Sequence, residues 1–179
     1  MNSHLVIACD PSGQPTGELV DRAAAHRGTG RTHLAIVVLL VDGAGRVLLQ
    51  RRKHALFDGL WDWTGATHPV PRADGGHEPL DEAARRCLGY EYEVGGTIED
   101  IQLAGGFLYF AEDGDNCENE FCYLIRARLV GSIAPKDAFS YEVRWLSVDA
   151  LSAAMHAAPE TFTPWALAGA SLLEHEVEG

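Results

Sequence analysis

Apolar positions run almost unbroken through "HLVIAC" (4–9) and "THLAIVVLLVD" (32–42), and continuous runs of this length predict buried strands. A glycine-rich "GAG" joins the second run to "RVLLQRR" (46–52), which predicts a β-hairpin. The turn-forming "DPSGQPTG" (10–17) ends the first strand; "RAAAH" (22–26) and a flexible "RGTGR" (27–31) follow. "KHALFDG" (53–59) and "PVPRADGGHE" (69–78) read as loops. From Pro79 the period changes: Leu80, Ala83, Ala84, Cys87 and Leu88 recur at helical spacing and predict an amphipathic helix. Strands resume at "GFLYFAE" (106–112), "EFCYLIRARLV" (120–130) and "YEVRWLS" (141–147), and "VDALSAAMHAA" (148–158) and "PWALAGASLLEH" (164–175) predict closing helices. With no repeat, low-complexity tract or linker, residues 1–179 read as one α+β domain, strand-rich around a single strong helix.

Composition agrees with that picture. The chain's 179 residues, 46% of them hydrophobic, suffice for one buried core. No apolar run approaches the roughly 20 residues of a membrane span. "MNSHLVIACD" lacks the basic start and apolar length of a signal peptide, so a cytoplasmic protein is expected. Cys9, Cys87, Cys117 and Cys122 form no CxxC pair and predict reduced thiols, with Cys87 a small core residue. The net charge of −12 argues against non-specific nucleic-acid or anionic-membrane binding. It is unevenly spread: 10 basic and 10 acidic residues up to Arg86, then 4 and 16. An anionic ligand would therefore need the basic groups of the N-terminal half, or bound cations.

Three groups of residues carry candidate chemistry. His26 and His33 flank "RGTGRT"; alone they read as two surface histidines, although Gly28 and Gly30 would let a loop bring them together. Glu118 and Glu120 of "ENE" share a face of an extended chain, which fits either a cation site or an exposed strand edge. With His68, whose backbone Pro69 restricts, the set becomes three imidazoles and two carboxylates. That mixture suits Mn²⁺, Zn²⁺ or Mg²⁺ better than Ca²⁺. The third group is "E78-x7-RCLGYEYEV", a partial Nudix box. Glu78, Arg86, Leu88, Glu91 and Val94 are in register, while Cys87, Tyr90 and Glu93 replace two box glutamates and its late glycine. The loss disfavours diphosphate hydrolysis but leaves a Glu91–Mg²⁺ contact.

Taken together, "AAHRGTGRTHLA", "LLQRR", "GLW", "HP", the partial box, "FLYFAE", "ENEFC" and "FTPWAL" resemble, in order and spacing, the type I isopentenyl-diphosphate isomerases. The resemblance spans nearly the whole chain and implies a Nudix fold, a mixed β-sheet sandwiched between helices. It implies one tightly held divalent metal at His26, His33, His68, Glu118 and Glu120, and a Mg²⁺ held with the diphosphate by Glu91. Arg22 and Arg51 fall at the family's basic diphosphate contacts, with Arg52 and Lys53 beside them. Tyr109 matches a tyrosine that assists proton delivery, Glu120 the proton-transferring carboxylate, and Trp165 the tryptophan facing the cationic intermediate. The implied partner is a small-molecule substrate, a prenyl diphosphate, with no nucleic acid or membrane, bound by a monomer or homodimer.

One position departs from the family. Its second proton-transfer group is a cysteine two residues before the metal histidine, and that position here is Ala66. A methyl group neither gives nor takes a proton, so ordinary isomerisation is put in doubt. Natural use of the site for a rearrangement or cyclisation, deliberate replacement of a reactive cysteine, and binding without catalysis all remain open. A Nudix pyrophosphohydrolase of a nucleotide or prenyl diphosphate is the alternative enzyme class.

Overall fold

The computed structural model describes residues 4–174; His175, predicted to belong to the last helix, lies outside them. The chain runs β1 (Leu5–Cys9), β2 (Pro15–Asp21), a one-turn α1 (Arg22–Ala25), β3 (His33–Val41), β4 (Val47–Arg52), β5 (Trp61–Asp62) and β6 (Gly65–Thr67). It continues through α2 (Leu80–Glu91), β7 (Tyr92–Asp113), β8 (Asn116–Pro135), β9 (Ser140–Leu146), α3 (Val148–Ala157), α4 (Pro164–Gly169) and α5 (Ser171–Glu174).

All nine residues of β3 are buried, because both faces of this central strand are covered. Ala35, Val37, Leu39 and Val41 face one core with Leu151 and Met155 of α3 and Trp165 and Ala166 of α4. Ile36, Val38 and Leu40 face the other, against Ala83, Ala84, Cys87 and Leu88 of α2. The period-2 alternation of a strand thus sorts one apolar run into two cores. The sheet is mixed: β3 is parallel to β8 and antiparallel to β6, and β7–β8 form a long antiparallel hairpin.

The expected hairpin of β3 and β4 is corrected in one respect. The chain does reverse at "GAG", but only Val41 and Val47 pair. Beyond them β4 turns to β5 and β9. Thr64 is the wedge: its Oγ1 accepts from Leu40 N at 2.9 Å and donates to Leu48 O at 2.6 Å. The two strands are therefore bridged through a side chain rather than directly. Two strands exceed or escape the sequence reading. The stretch read as a turn after β1 is shorter, closed by Asp10 Oδ1 accepting from Ser12 N and Gln14 N, and leads at once into the exposed β2. β7 starts at Tyr92, directly where α2 ends. The predicted last helix is two short ones, α4 and α5, separated at Ala170.

Candidate functional site

The site forms where the top of β3 meets β6, β8 and the glycine loop. Gly28 and Gly30 both adopt left-handed φ, 64° and 63°, and hydrogen bonds from Gly30 N to Arg27 O and from Arg31 N to Ala25 O fold the loop back. The segment read as flexible is thus a bonded turn that brings His26 over His33. The parallel register sets His33 beside Glu120, and the β7–β8 register sets Tyr109 beside Glu120. His68 follows the last residue of β6. Its position is held by Arg86, which donates to His68 O at 2.9 Å and Thr67 Oγ1 at 3.3 Å while paired with Glu78 at 2.8 Å. Two residues of the partial box therefore serve to fix His68.

One ligand atom each from His26, His33, His68 and Glu120 lies within 4.8 Å of every other. The Nε2 atoms of His33 and His68 are 3.2 Å apart, and Glu120 Oε1 is 3.2 Å from the first and 2.9 Å from the second. Two imidazole nitrogens at that separation need a proton or a cation between their lone pairs, so the donor set fits a metal ion. Glu118 stands beside this set: its Oε2 is 3.1 Å from His26 Nδ1. The other oxygen of Glu120 accepts the Tyr109 hydroxyl.

The electrostatics follow from burial and from these contacts. Burial raises the Glu118 carboxyl to about 7, helped by the negative charge of Glu120. Burial also opposes ionisation of Glu120, but hydrogen bonds from His33 and His68 outweigh it and hold Glu120 well below the usual range. His68 is lowered to about 4, by desolvation first. Desolvation works against His26 too, yet its bond to Glu118 leaves it raised. Tyr109 is pushed up by burial and by Glu120, so it remains a hydroxyl donor.

These groups open onto a cavity of about 880 Å³. Ala66, Glu91, Tyr109 and Trp165 line it, as do the basic Arg22, Arg52, Lys53 and Arg86. Glu91 is raised to about 7 by burial, against a hydrogen bond from Gln50 Nε2 at 3.0 Å. Its immediate partners, Gln50 and Cys87, are neutral, so a cation there would relieve an uncompensated carboxylate. Arg51 is turned away from the cavity: its Nε is 3.3 Å from Glu142 and its guanidinium 5.3 Å from the Tyr141 ring. Lys53 lines the cavity but its Nζ donates to Asp137 O at 2.9 Å. Arg52 is buried, pairs with Asp62 at 2.8 Å and lies 4.8 Å from the Trp165 ring centroid. The sequence reading missed Asp62, Gln50 and His54. Asp62 alone carried a visible signal, an acid set between the tryptophans of "WDW". Cys87 is buried as expected, and the four cysteines are free thiols.

Comparison with known proteins agrees with this architecture. The NUDIX domain family matches residues 31–166. An isopentenyl-diphosphate Delta-isomerase of Brevibacterium linens is 35% identical over 97% of this chain and 90% of its own length. One of Burkholderia multivorans is 33% identical, covering 89% and 87%. Among solved structures, DR0079 from Deinococcus radiodurans superposes with a TM-score of 0.67 at 16% identity over 97% of this chain and 99% of its own. A MutT protein from Methanosarcina mazei Go1 gives 0.60 at 18%, covering 83% and 96%. These two likenesses speak for the fold alone. Among the described residues no helix is long and apolar enough to cross a membrane.

Proposed function

Because the chain belongs to the Nudix family, among its isopentenyl-diphosphate isomerase-like enzymes, we propose that it acts on a prenyl diphosphate by proton-initiated carbocation chemistry. The observation that carries this reading is Glu120. One oxygen meets His33 and His68 and the other accepts from Tyr109, whose ring centroid is 5.8 Å from that of Trp165 in the same cavity wall.

His26, His33, His68 and Glu120, with Glu118 against His26, would hold the divalent ion, which we take as Mn²⁺, Zn²⁺ or Mg²⁺. Glu91 would hold Mg²⁺ together with the diphosphate. Such ions supply positive charge that lowers the proton affinity of Glu120 and neutralises the diphosphate. Arg22, at the cavity's exposed side, and Lys53 are the cations best disposed to meet a diphosphate. Arg86 and Arg52 are already paired with Glu78 and Asp62.

The reaction requires a proton to reach the terminal carbon of an unactivated alkene. A proton taken up from solvent at Glu120 is passed to the alkene, and the Tyr109 hydroxyl, which keeps its own proton, hydrogen-bonds the carboxylate left behind. The electron pair of the double bond forms the new C–H bond and leaves a tertiary cation. The face of Trp165 stabilises that cation by ~2 kcal/mol once water is excluded. Isomerisation then needs a base to remove a proton from the neighbouring carbon. Ala66 offers none, and Thr67 Oγ1, bonded to Arg86, is a poor one. The cation is instead consumed by rearrangement or ring closure on a second double bond, and the last proton passes to the substrate's own diphosphate, the basic group the substrate brings with it.

To test this, metal-loaded protein is incubated in D₂O with isopentenyl diphosphate and with longer prenyl diphosphates, and products are read by mass spectrometry. Deuterium uptake into carbon or a new hydrocarbon skeleton is expected. Unchanged substrate throughout would refute the reading, and release of phosphate or pyrophosphate alone would point to a hydrolase.

A further inference from the structure

Asp62 is fully buried, and its carboxylate takes four hydrogen bonds. Oδ1 accepts from Trp63 N at 2.7 Å, Trp165 Nε1 at 2.6 Å and Thr163 Oγ1 at 3.2 Å. Oδ2 accepts from Arg52 Nη1 at 2.8 Å. A buried ion pair of this kind is weak evidence for stability, because apolar residues of similar volume commonly serve as well. Its location is more informative, since two of its donors, Arg52 and Trp165, line the cavity.

The Arg52 guanidinium carbon lies 4.8 Å from the Trp165 ring centroid. An uncompensated guanidinium there would repel any second cation approaching the ring, in a site where little water screens it. Asp62 cancels that charge through Oδ2. Through Oδ1 it accepts the indole N–H, which fixes the ring plane and draws electron density toward the π-face. Phe57, packed edge-on at 5.2 Å, braces the same ring. Phe57 sits at φ 53°, a strained conformation for an aromatic residue, and its N–H is held by Asp113 Oδ2 at 2.9 Å.

We infer that Asp62 is a positioning residue that sets Trp165 to receive a cationic ligand, by locking the indole through Nε1 and neutralising Arg52 beside it. The inference rests on the carbocation reading above and adds the device that lets a tryptophan already beside an arginine accept another positive charge.

The test compares two probes by calorimetry on the metal-loaded full chain. One is an alkyl diphosphate ending in a dimethylammonium group; the other is its neutral branched-alkyl isostere. The ratio of their Kd values removes any change at the diphosphate end. The unaltered protein is expected to favour the ammonium probe by about 30-fold. Asp62→Asn should reduce this to a few-fold at most, because it presents N–H groups to Arg52 and leaves the guanidinium uncompensated. Arg52→Gln should raise the preference above that of the unaltered protein, since Gln still donates to Oδ2 while Asp62 becomes a net negative charge behind the ring.

A purely structural role predicts no such opposition of sign. An unchanged ratio in folded Asp62→Asn, or no gain in Arg52→Gln, overturns the inference. If Asp62→Asn does not fold, Arg52→Gln decides it alone. Absence of any ammonium preference in the unaltered protein takes down the carbocation reading and this inference together. A preference that both variants leave intact takes down the role of Asp62 only.

Discussion

Thr64→Val replaces one methyl-sized group in a fully buried side chain and keeps its shape, yet it should be among the most damaging changes outside the histidine–glutamate cluster. The hydroxyl accepts from Leu40 N at 2.9 Å and donates to Leu48 O at 2.6 Å, and both leucines are fully buried. Valine leaves that amide and that carbonyl facing a hydrocarbon. Each such group costs about 1–3 kcal/mol when stranded, so the expected loss for the two is about 2–6 kcal/mol. For a chain of this size that lowers the midpoint on the order of 5–20 °C. Thermal and urea unfolding of the metal-free protein measure it, with an unchanged urea slope as the sign that only stability moved. Thr64→Ser keeps the hydroxyl and should lose only roughly 1 kcal/mol through the missing methyl. Because β6 leads from Thr64 to His68, Thr64→Val should also weaken metal binding. A midpoint shift below about 2 °C, or equal losses in the valine and serine variants, would refute the claim that this hydroxyl holds β3 and β4 apart.

Three further outcomes follow from the same geometry. Gly30→Ala should destabilise the protein and lower metal affinity. A Cβ there would lie 2.6 Å from Cys117 Sγ and 2.7 Å from Ala25 O at a left-handed φ, and the change would distort the turn joining His26 to His33; calorimetric metal titration reads the effect. Tyr109→Phe removes the donor to Glu120 Oε2 and should reduce turnover by about a hundredfold, the low end of what one acid–base partner contributes, while probe binding changes little. His54 is lowered from 6.5 by desolvation and then by Arg52, so the folded state resists its protonation. Stability present while His54 is neutral is lost as pH falls below 6.5, in small measure because the residue is largely exposed. The midpoint of His54→Gln relative to the unaltered protein should therefore rise between pH 7 and pH 5.5, and a flat difference across that range would contradict the assignment.

What the sequence disclosed depended on how local each cause is. β3 announced itself as an unbroken apolar run because it is covered on both faces, and α2 by its helical period. β2 stayed hidden because its residues are almost all exposed and carry no alternation. The first half of β7 stayed hidden because Gly95, Gly96, Gly105 and the bulges near Asp100 interrupt its pattern. The reversal after β3 was legible in "GAG", whereas the separation of β3 from β4 arises from Thr64, sixteen residues from Leu48. Likewise the shared face of Glu118 and Glu120 is a property of any strand, and both prove to be buried beside the histidines. The capture of Arg52 by Asp62 and the turn of Arg51 toward Glu142 depend on long-range packing, which residue spacing does not record.

If the donor side of the site is intact, a single missing thiol withholds isomerisation. Ala66→Cys restores that thiol, and NMR on the metal-loaded variant follows interconversion of isopentenyl and dimethylallyl diphosphates. Interconversion is expected in the variant and none in the unaltered protein. A folded, metal-bound Ala66→Cys that leaves both diphosphates unchanged would show that the donor side is not intact.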